Sequence, residues 1–319
     1  MIKPHILVSV LILILFACGQ APDGGPPIDG VIWNVRNFTL SPLGTPVTMS
    51  AAQCGRPSAS TLIVALHDLG YDRRQFTETA QGLGASMAQA LCSSGVAVLA
   101  PDLLGAGSSA RVDGDQLTLD VQALAMQQML GQLPRWERIV LLGQGGGGAV
   151  AVRASTGIAR TALALLGFSI HSYVFPVLPV SFQPILQQGP YVDWRQPAPG
   201  PDSIRSFLGY YQPGAAPGAA AWDDKVLGQA APRGSWWQML QLQGQPTVLR
   251  PGLVTHPVLE VLGDRDPWFP ASQGQQDQAL FPLAPRFEVA TAAQTGHALP
   301  QHLSAPQTTQ LLLAWVQSL

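Results

Sequence analysis

Five short, nearly continuous apolar runs do most to fix what this chain can fold into. They are TLIVAL (Thr61 to Leu66), VAVLA (Val96 to Ala100), Ile139 to Leu142, ALALLG (Ala162 to Gly167) and VLEVL (Val258 to Leu262). A strand with one wet face alternates apolar and polar residues, whereas a continuous run suits a strand buried on both faces of a parallel sheet. Between the runs lie segments of helical character: Leu83 to Cys92, Leu117 to Leu133 ended by Pro134, and the small-residue stretch Ala149 to Ser155. Such strand and helix alternation predicts an α/β fold, a mostly parallel central sheet flanked by helices on both faces.

Two alternating segments, Val31 to Leu40 and Thr45 to Ala51, read as leading antiparallel strands. Regularity stops after Ile170, and Pro/Gly/Gln-rich sequence with Trp194, Trp222, Trp236 and Trp237 runs to about Pro251. Aromatics in irregular sequence suit a lid over an apolar pocket, or a loop packed on the core. Order returns with VLEVL, a helix near Ala271 to Leu280, a strand at Arg286 to Ala290 and a closing helix from about Ser304 to Ser318.

The N-terminal segment is read apart from the fold. Lys3 precedes an apolar run, Ile6 to Phe16, that is short for a membrane span and suits a secretory leader. The run ends in Leu15-Phe16-Ala17-Cys18, which resembles a bacterial lipobox, so the expectation is a leader over residues 1–17, lipidation at Cys18, a tether over 18–30 and one domain over 31–319. This places the protein outside the cytoplasm, lipid-anchored at the bacterial cell envelope. An oxidising compartment permits disulfides, and Cys54 and Cys92 are the remaining pair, either bridged or two buried thiols.

Only 11% of residues are charged and the formal net charge is −2, with no basic patch to suit a nucleic acid. The six histidines are scattered and none has a zinc-like spacing to cysteine, so no metal or cofactor is expected. The stretch GQGGGG after a strand bears a weak likeness to a dinucleotide fingerprint, but it lies mid-chain rather than in the first strand and helix unit.

Four motifs, in order, resemble those of the α/β-hydrolase superfamily, across nearly the whole chain after the leader. LHDLG (Leu66 to Gly70) resembles the oxyanion turn, PDLLGAGSS (Pro101 to Ser109) a D-x-x-G-x-G-x-S segment, and LLGQGGGGAV (Leu141 to Val150) the strand-to-helix turn that carries the nucleophile. LGDRDPWFP followed by QTGHALP resembles the acid and histidine loops. The resemblance implies an α/β-hydrolase fold of the lipase and esterase kind, with an irregular lid at about 171–251. It implies His297 as the base, with His302 as its rival, and Asp266 as the acid, with Asp264 the lesser choice. Backbone donors at Leu69 and Gly146 would form the oxyanion hole.

One departure governs the functional reading: Gly145 stands where G-x-S-x-G has its serine. Glycine adopts the strained backbone of that turn freely, so the fold tolerates the change while the attacking oxygen is lost. Asp68 also replaces a glycine of the oxyanion turn, beside a site meant for an anion, and His67 reads as structural. The expectation is a lipid-anchored relative impaired as a serine hydrolase that binds a small apolar or ester-like ligand. The alternative is an active hydrolase or lyase in which the His297/Asp266 pair activates water or takes a substrate proton. A third reading recruits Ser169 or Ser108 as nucleophile. Any protein partner is left open.

Overall fold

The computed structural model describes residues 31–319 apart from 57, 81–82, 171–186, 188, 194–213 and 243–244. The leader, Cys18, the tether, Trp194 and much of the expected lid lie outside the described residues. Within them an eight-stranded sheet runs in the order β1-β2-β4-β3-β5-β6-β9-β10. Its strands are β1 Asn34–Leu40, β2 Val47–Cys54, β3 Thr61–Leu66, β4 Ala97–Pro101, β5 Arg138–Gln144, β6 Thr161–Leu166, β9 Val258–Gly263 and β10 Phe287–Ala292. The pairs from β4 through β10 are parallel, and β2 is antiparallel to both its neighbours, β1 and β4. This is the α/β-hydrolase architecture, with a mostly parallel sheet.

The uninterrupted apolar runs are explained by burial on both faces. Leu62, Val64 and Leu66 of β3 point into one core and Ile63 and Ala65 into the other. In β6, Leu163 and Leu165 join the first core, while Ala162, Ala164 and Leu166 join the second. Successive side chains leave a strand on opposite sides, so each run must be apolar at every position. Each fully buried leucine stabilises the fold by about 2 kcal/mol.

The first core is closed by α3 (Leu119–Gly131) and α4 (Gly146–Ser155), through residues such as Met126, Met129, Val150 and Val152. The second is closed by α2 (Met87–Ser93) and α6 (Ala305–Gln317), through Met87, Leu91, Leu312 and Trp315. A short helix, α1 (Arg74–Thr77), precedes α2.

Differences from the sequence reading have local causes. Helix α2 starts at Met87 rather than Leu83, because Ser86 and Gln89 form a reciprocal capping box that fixes the first turn. Helix α4 begins three residues before Ala149, at Gly146, within the glycines themselves. Their poor propensity yields to packing: a Cβ on Gly147 would strike the carbonyl oxygens of Leu66 and His67, and one on Gly148 would lie 2.8 Å from the Phe168 side chain. The helix near Ala271 to Leu280 is three short pieces, Ala271–Gln273, Gly274–Asp277 and Gln278–Leu280. Gly274 sits so close to β10 that a Cβ would lie 2.7 Å from the Val289 side chain.

Between β6 and β9 the described residues include a two-stranded antiparallel pair, β7 (Tyr191–Asp193) with β8 (Ala230–Pro232), followed by α5 (Arg233–Gln241). Trp236 of α5 is buried and Trp237 is exposed. Cys54, ending β2, is disulfide-bonded to Cys92 in α2, with Cα atoms 6.0 Å apart.

Candidate active site

Parallel strands deliver the groups that follow them to one edge of the sheet, and ligands of open α/β sheets bind at that edge. Here the turn after β3 carries His67, Asp68 and Leu69, the turn after β5 carries Gly145, the loop after β9 carries Asp266, and the loop after β10 carries His297.

Gly145 has φ 50° and ψ −121°, a conformation that L side chains adopt only with strain. Its N–H donates to the Leu166 carbonyl at 3.0 Å, which pins the turn to β6. The place a side chain would take is filled: a Cβ built on Gly145 collides with the Asp68 carboxyl group.

The Asp68 carboxylate is held from several directions. Its Oδ1 accepts from Leu69 N–H at 2.7 Å and from Gly146 N–H at 2.6 Å, the two backbone donors named from the motifs. Its Oδ2 lies 3.1 Å from His297 Nε2. One carboxyl oxygen therefore sits on the two N–H groups that the motif resemblance assigned to an oxyanion, and the second faces the imidazole. Asp68 N–H donates to Gln75 Oε1 at 2.8 Å, and Gln301 Nε2 donates to the Gln75 carbonyl at 3.1 Å, so two buried glutamines set the turn.

The structure brings Asp266 and His297 together: Asp266 Oδ2 lies 2.9 Å from His297 Nδ1. Asp266 Oδ1 accepts from Trp268 N–H at 2.8 Å and Phe269 N–H at 3.1 Å, which orients the carboxylate. The imidazole lies nearly parallel to two aromatic rings, with centroids 5.8 Å from Trp268 and 5.5 Å from Phe269. Trp236 of α5 packs on Trp268 at 6.3 Å, which ties the insertion to this wall. Gln144 Nε2 donates to the His297 carbonyl at 2.7 Å, so the end of β5 also positions the histidine loop.

Burial by itself pushes the pKa of His297 down, since it penalises the charged ring. The charge and hydrogen bond of Asp266, then those of Asp68, outweigh it and raise the pKa to about 10. At neutral pH His297 therefore holds its proton between the carboxyl groups of Asp266 and Asp68. A ring that already holds both protons takes another from nothing; it acts as a base only after giving one up.

The rival residues have other partners. His302 Nε2 accepts from Gly296 N–H at 3.0 Å and its Nδ1 donates to the Ala298 carbonyl at 2.8 Å, clamping the histidine loop. Asp264 Oδ1 accepts from Thr295 N–H at 3.0 Å, joining the acid and histidine loops. His67 Nε2 accepts from Leu103 N–H at 2.9 Å, so its Nδ1 carries the proton and donates to the Asp68 carbonyl at 2.8 Å. Ser169 and Ser108 are not the partners of His297, whose two ring nitrogens face Asp266 and Asp68. Ser108 N–H instead donates to Asp102, the buried partner of Arg73 at 3.0 Å, so the PDLLGAGSS segment is structural bracing.

Asp68 was named in the sequence without an orientation, because one side-chain rotamer decides it. Gln75, Gln301 and Gln144 carried no signal beyond being polar. The aromatic wall was visible in PWFP, immediately after the acid. Among the described residues no group of three His, Cys, Asp or Glu is placed to hold a metal ion.

The sequence profile of the alpha/beta hydrolase family matches residues 63–309. Solved structures of similar fold include a thermophilic esterase from Thermogutta terrifontis, at TM-score 0.67 and 18% identity over 89% of this chain and 98% of that one. An esterase from Exiguobacterium antarcticum superposes at TM-score 0.63 with 16% identity, covering 85% of this chain and 96% of that one. A bacterial membrane phospholipase A does so at TM-score 0.61 with 18% identity, covering 89% and 86%. No curated protein matches the sequence.

Proposed function

Because the chain belongs to the alpha/beta hydrolase family, with 63–309 matched, we propose that it is a lipid-anchored envelope member that has left the serine route and receives a small apolar ligand at the His297 site. The observation that carries this reading is the position of Asp68. Its carboxyl group fills the space of a side chain on residue 145, and its Oδ1 takes both backbone donors, Leu69 N–H and Gly146 N–H. An ester carbonyl entering the site would find neither an attacking hydroxyl nor a free oxyanion hole, and losing one such donor alone costs about 10²–10³ in rate.

The anchoring half of the proposal rests on the run Ile6 to Phe16 and on Cys18. Among the described residues no helix is long and apolar enough to cross a membrane. The ligand class rests on the aromatic rings of Trp268 and Phe269 beside the imidazole.

A second reading, in which His297 and Asp266 work on a substrate, is favoured by their 2.9 Å contact. It requires that His297 first give up the proton that Asp266 and then Asp68 hold on it. The test is turnover of p-nitrophenyl esters of graded acyl length, with a serine-directed fluorophosphonate as covalent probe. The expected result is no burst and no labelling, with tryptophan quenching on ester binding. A stoichiometric burst with label on a serine overturns the proposal.

A further inference from the structure

We infer that Glu260 and Asp277 form a latch that opens as pH rises: while Glu260 keeps a proton, Asp277 holds the chain where it leaves β6, and loss of that proton frees Ile170 and loosens the phenylalanine contact beside His297. Both side chains are completely buried, Glu260 in β9 and Asp277 in the second of the three short helical pieces, Gly274–Asp277. Sheet register fixes what surrounds Glu260. Its cross-strand neighbours are Leu165 of β6 and Val289 of β10, and the residues two along on its own face are Val258 and Leu262. Over that face lies the helical piece, where a Cβ on Gly274, one turn before Asp277, would lie 3.1 Å from Glu260 Oε1.

Among the described residues, the elements packed on Glu260 thus bring it one titratable group, Asp277, and no basic side chain. Two carboxyl groups in one apolar site cannot both ionise without a large cost, so one keeps its proton. Hydrogen bonding decides which. Asp277 Oδ2 accepts the Ile170 N–H at 2.6 Å, whereas neither Glu260 oxygen takes an N–H donor. The proton sits on Glu260, whose pKa is held well above 4.5 by burial and then by Asp277.

What the latch holds follows from the chain around Ile170. Phe168 lies between two pins: Gly167 N–H donates to the Val261 carbonyl at 2.9 Å, and Ile170 N–H donates to Asp277. The Phe168 ring packs on Phe269 with centroids 5.5 Å apart, and Phe269 in turn lies 5.5 Å from the His297 ring. When Glu260 ionises, its new charge faces Asp277 with no N–H to receive it. Lifting the Gly274–Asp277 piece off β9 and admitting water relieves that cost. Asp277 then releases the Ile170 N–H, one of the two pins is lost, and the contact between Phe168 and Phe269 loosens. The coupling runs through contiguous contacts, and its two-state element is the helical piece, seated or lifted. Its sign is that of a raised acid: the seated form keeps the proton, so the latch is shut at low pH and opens as pH rises.

The full chain in detergent micelles is to be taken from pH 5 to pH 9. Two signals are followed: the infrared carbonyl band of a protonated carboxyl group, and hydrogen exchange of the Ile170 amide, corrected for the intrinsic pH dependence of exchange. Expected is a band, missing from Glu260→Gln, that fades as pH rises, while Ile170 protection falls by about tenfold or more along the same curve. Glu260→Gln has no proton to lose in this range and should keep Ile170 protected throughout. Asp277→Ala removes the pin outright and should leave Ile170 weakly protected at every pH. A wild type without the band at pH 6, a band that persists unchanged to pH 9, or Ile170 protection that ignores its loss overturns the inference. So does a folded Glu260→Gln variant whose Ile170 exchange rises as in the wild type, which would assign the effect to another group, or an Asp277→Ala variant in which Ile170 stays protected. None of these readouts involves ester turnover or serine labelling, so the latch and the reading of the previous section fail separately.

Discussion

His297 Nε2 lies 3.1 Å from Asp68 Oδ2, in a ring whose Nδ1 faces Asp266 at 2.9 Å. One imidazole thus bridges two buried carboxylates, and the arrangement is a statement about stability as well as chemistry. The folded chain holds the His297 proton with a pKa of about 10 against 6.5 for the free side chain. The unfolded chain releases that proton sooner, so the stabilisation is whole below pH 6.5, shrinks as pH rises, and is gone above about 10.

The first prediction follows from that sign. Nitrogen NMR of the imidazole should show His297 still protonated at pH 8, and unfolding free energy should fall by up to about 1.4 kcal/mol per pH unit through the window. Asp68→Asn removes one of the two charges and should move the titration down toward neutrality. A wild-type ring that titrates near 6.5 would contradict the bridged geometry.

A second pH effect starts lower. Glu260 is fully buried in β9, and burial, then the charge and hydrogen bond of Asp277, push its pKa well above the ordinary 4.5. Its sign is that of a raised acid: the folded state keeps a proton the unfolded state gives up, so stability declines as pH rises from 4.5. Glu260→Gln preserves the side chain's shape without the titration. Its Tm should hold flatter than that of the wild type between pH 5 and 6.5, before His297 begins to contribute. Parallel curves for the two proteins would show that Glu260 is not the group responsible.

How much of this was legible beforehand divides along physical lines. Burial on two faces leaves a direct mark on composition, so TLIVAL and ALALLG announced β3 and β6. Chain order then placed Gly145, Asp266 and His297 at strand ends. What could not be read was set by single rotamers and by polar contacts between distant segments. The swing of Asp68 into the turn depends on Gln75, which is braced in turn by Gln301, 226 residues away in sequence. Glu260 did leave a trace, a charge inside the apolar run VLEVL, but its partner Asp277 lies in a loop of short helical pieces that no periodicity announces.

The disulfide makes a prediction that is independent of the site. Cys54 and Cys92 close a loop spanning 38 residues and tie the end of β2 to α2. On the loop-entropy account that constraint is worth about 4 kcal/mol through the unfolded state. Replacing both cysteines by alanine should lower the urea midpoint accordingly and leave the binding of apolar ligands unchanged, because the bridge lies on the α2 side of the sheet. A double variant as stable as wild type under oxidising conditions would mean the bridge constrains little.

Placing a serine at position 145 tests the relation between Asp68 and Gly145 most directly. Gly145→Ser alone places a side chain where the Asp68 carboxyl group stands, in a turn with φ 50°. Strain and crowding should destabilise the protein by about 1–3 kcal/mol, and esterase activity should stay near background, because Asp68 still holds Leu69 N–H and Gly146 N–H. Asp68→Gly alone should free the two donors and lower the His297 titration, which Asp266 still holds up, without supplying a nucleophile. Only the double variant, Asp68→Gly with Gly145→Ser, frees the donors, removes the clash and sets a hydroxyl within reach of His297. It should hydrolyse p-nitrophenyl esters at least about 10²-fold faster than either single variant, the scale of a recovered oxyanion contact. The effect is non-additive by construction, since each change is useless while the other residue keeps its wild-type identity. If Gly145→Ser alone gained as much as the pair, Asp68 would have to leave the turn easily, and its place in the oxyanion hole would be incidental to the chemistry.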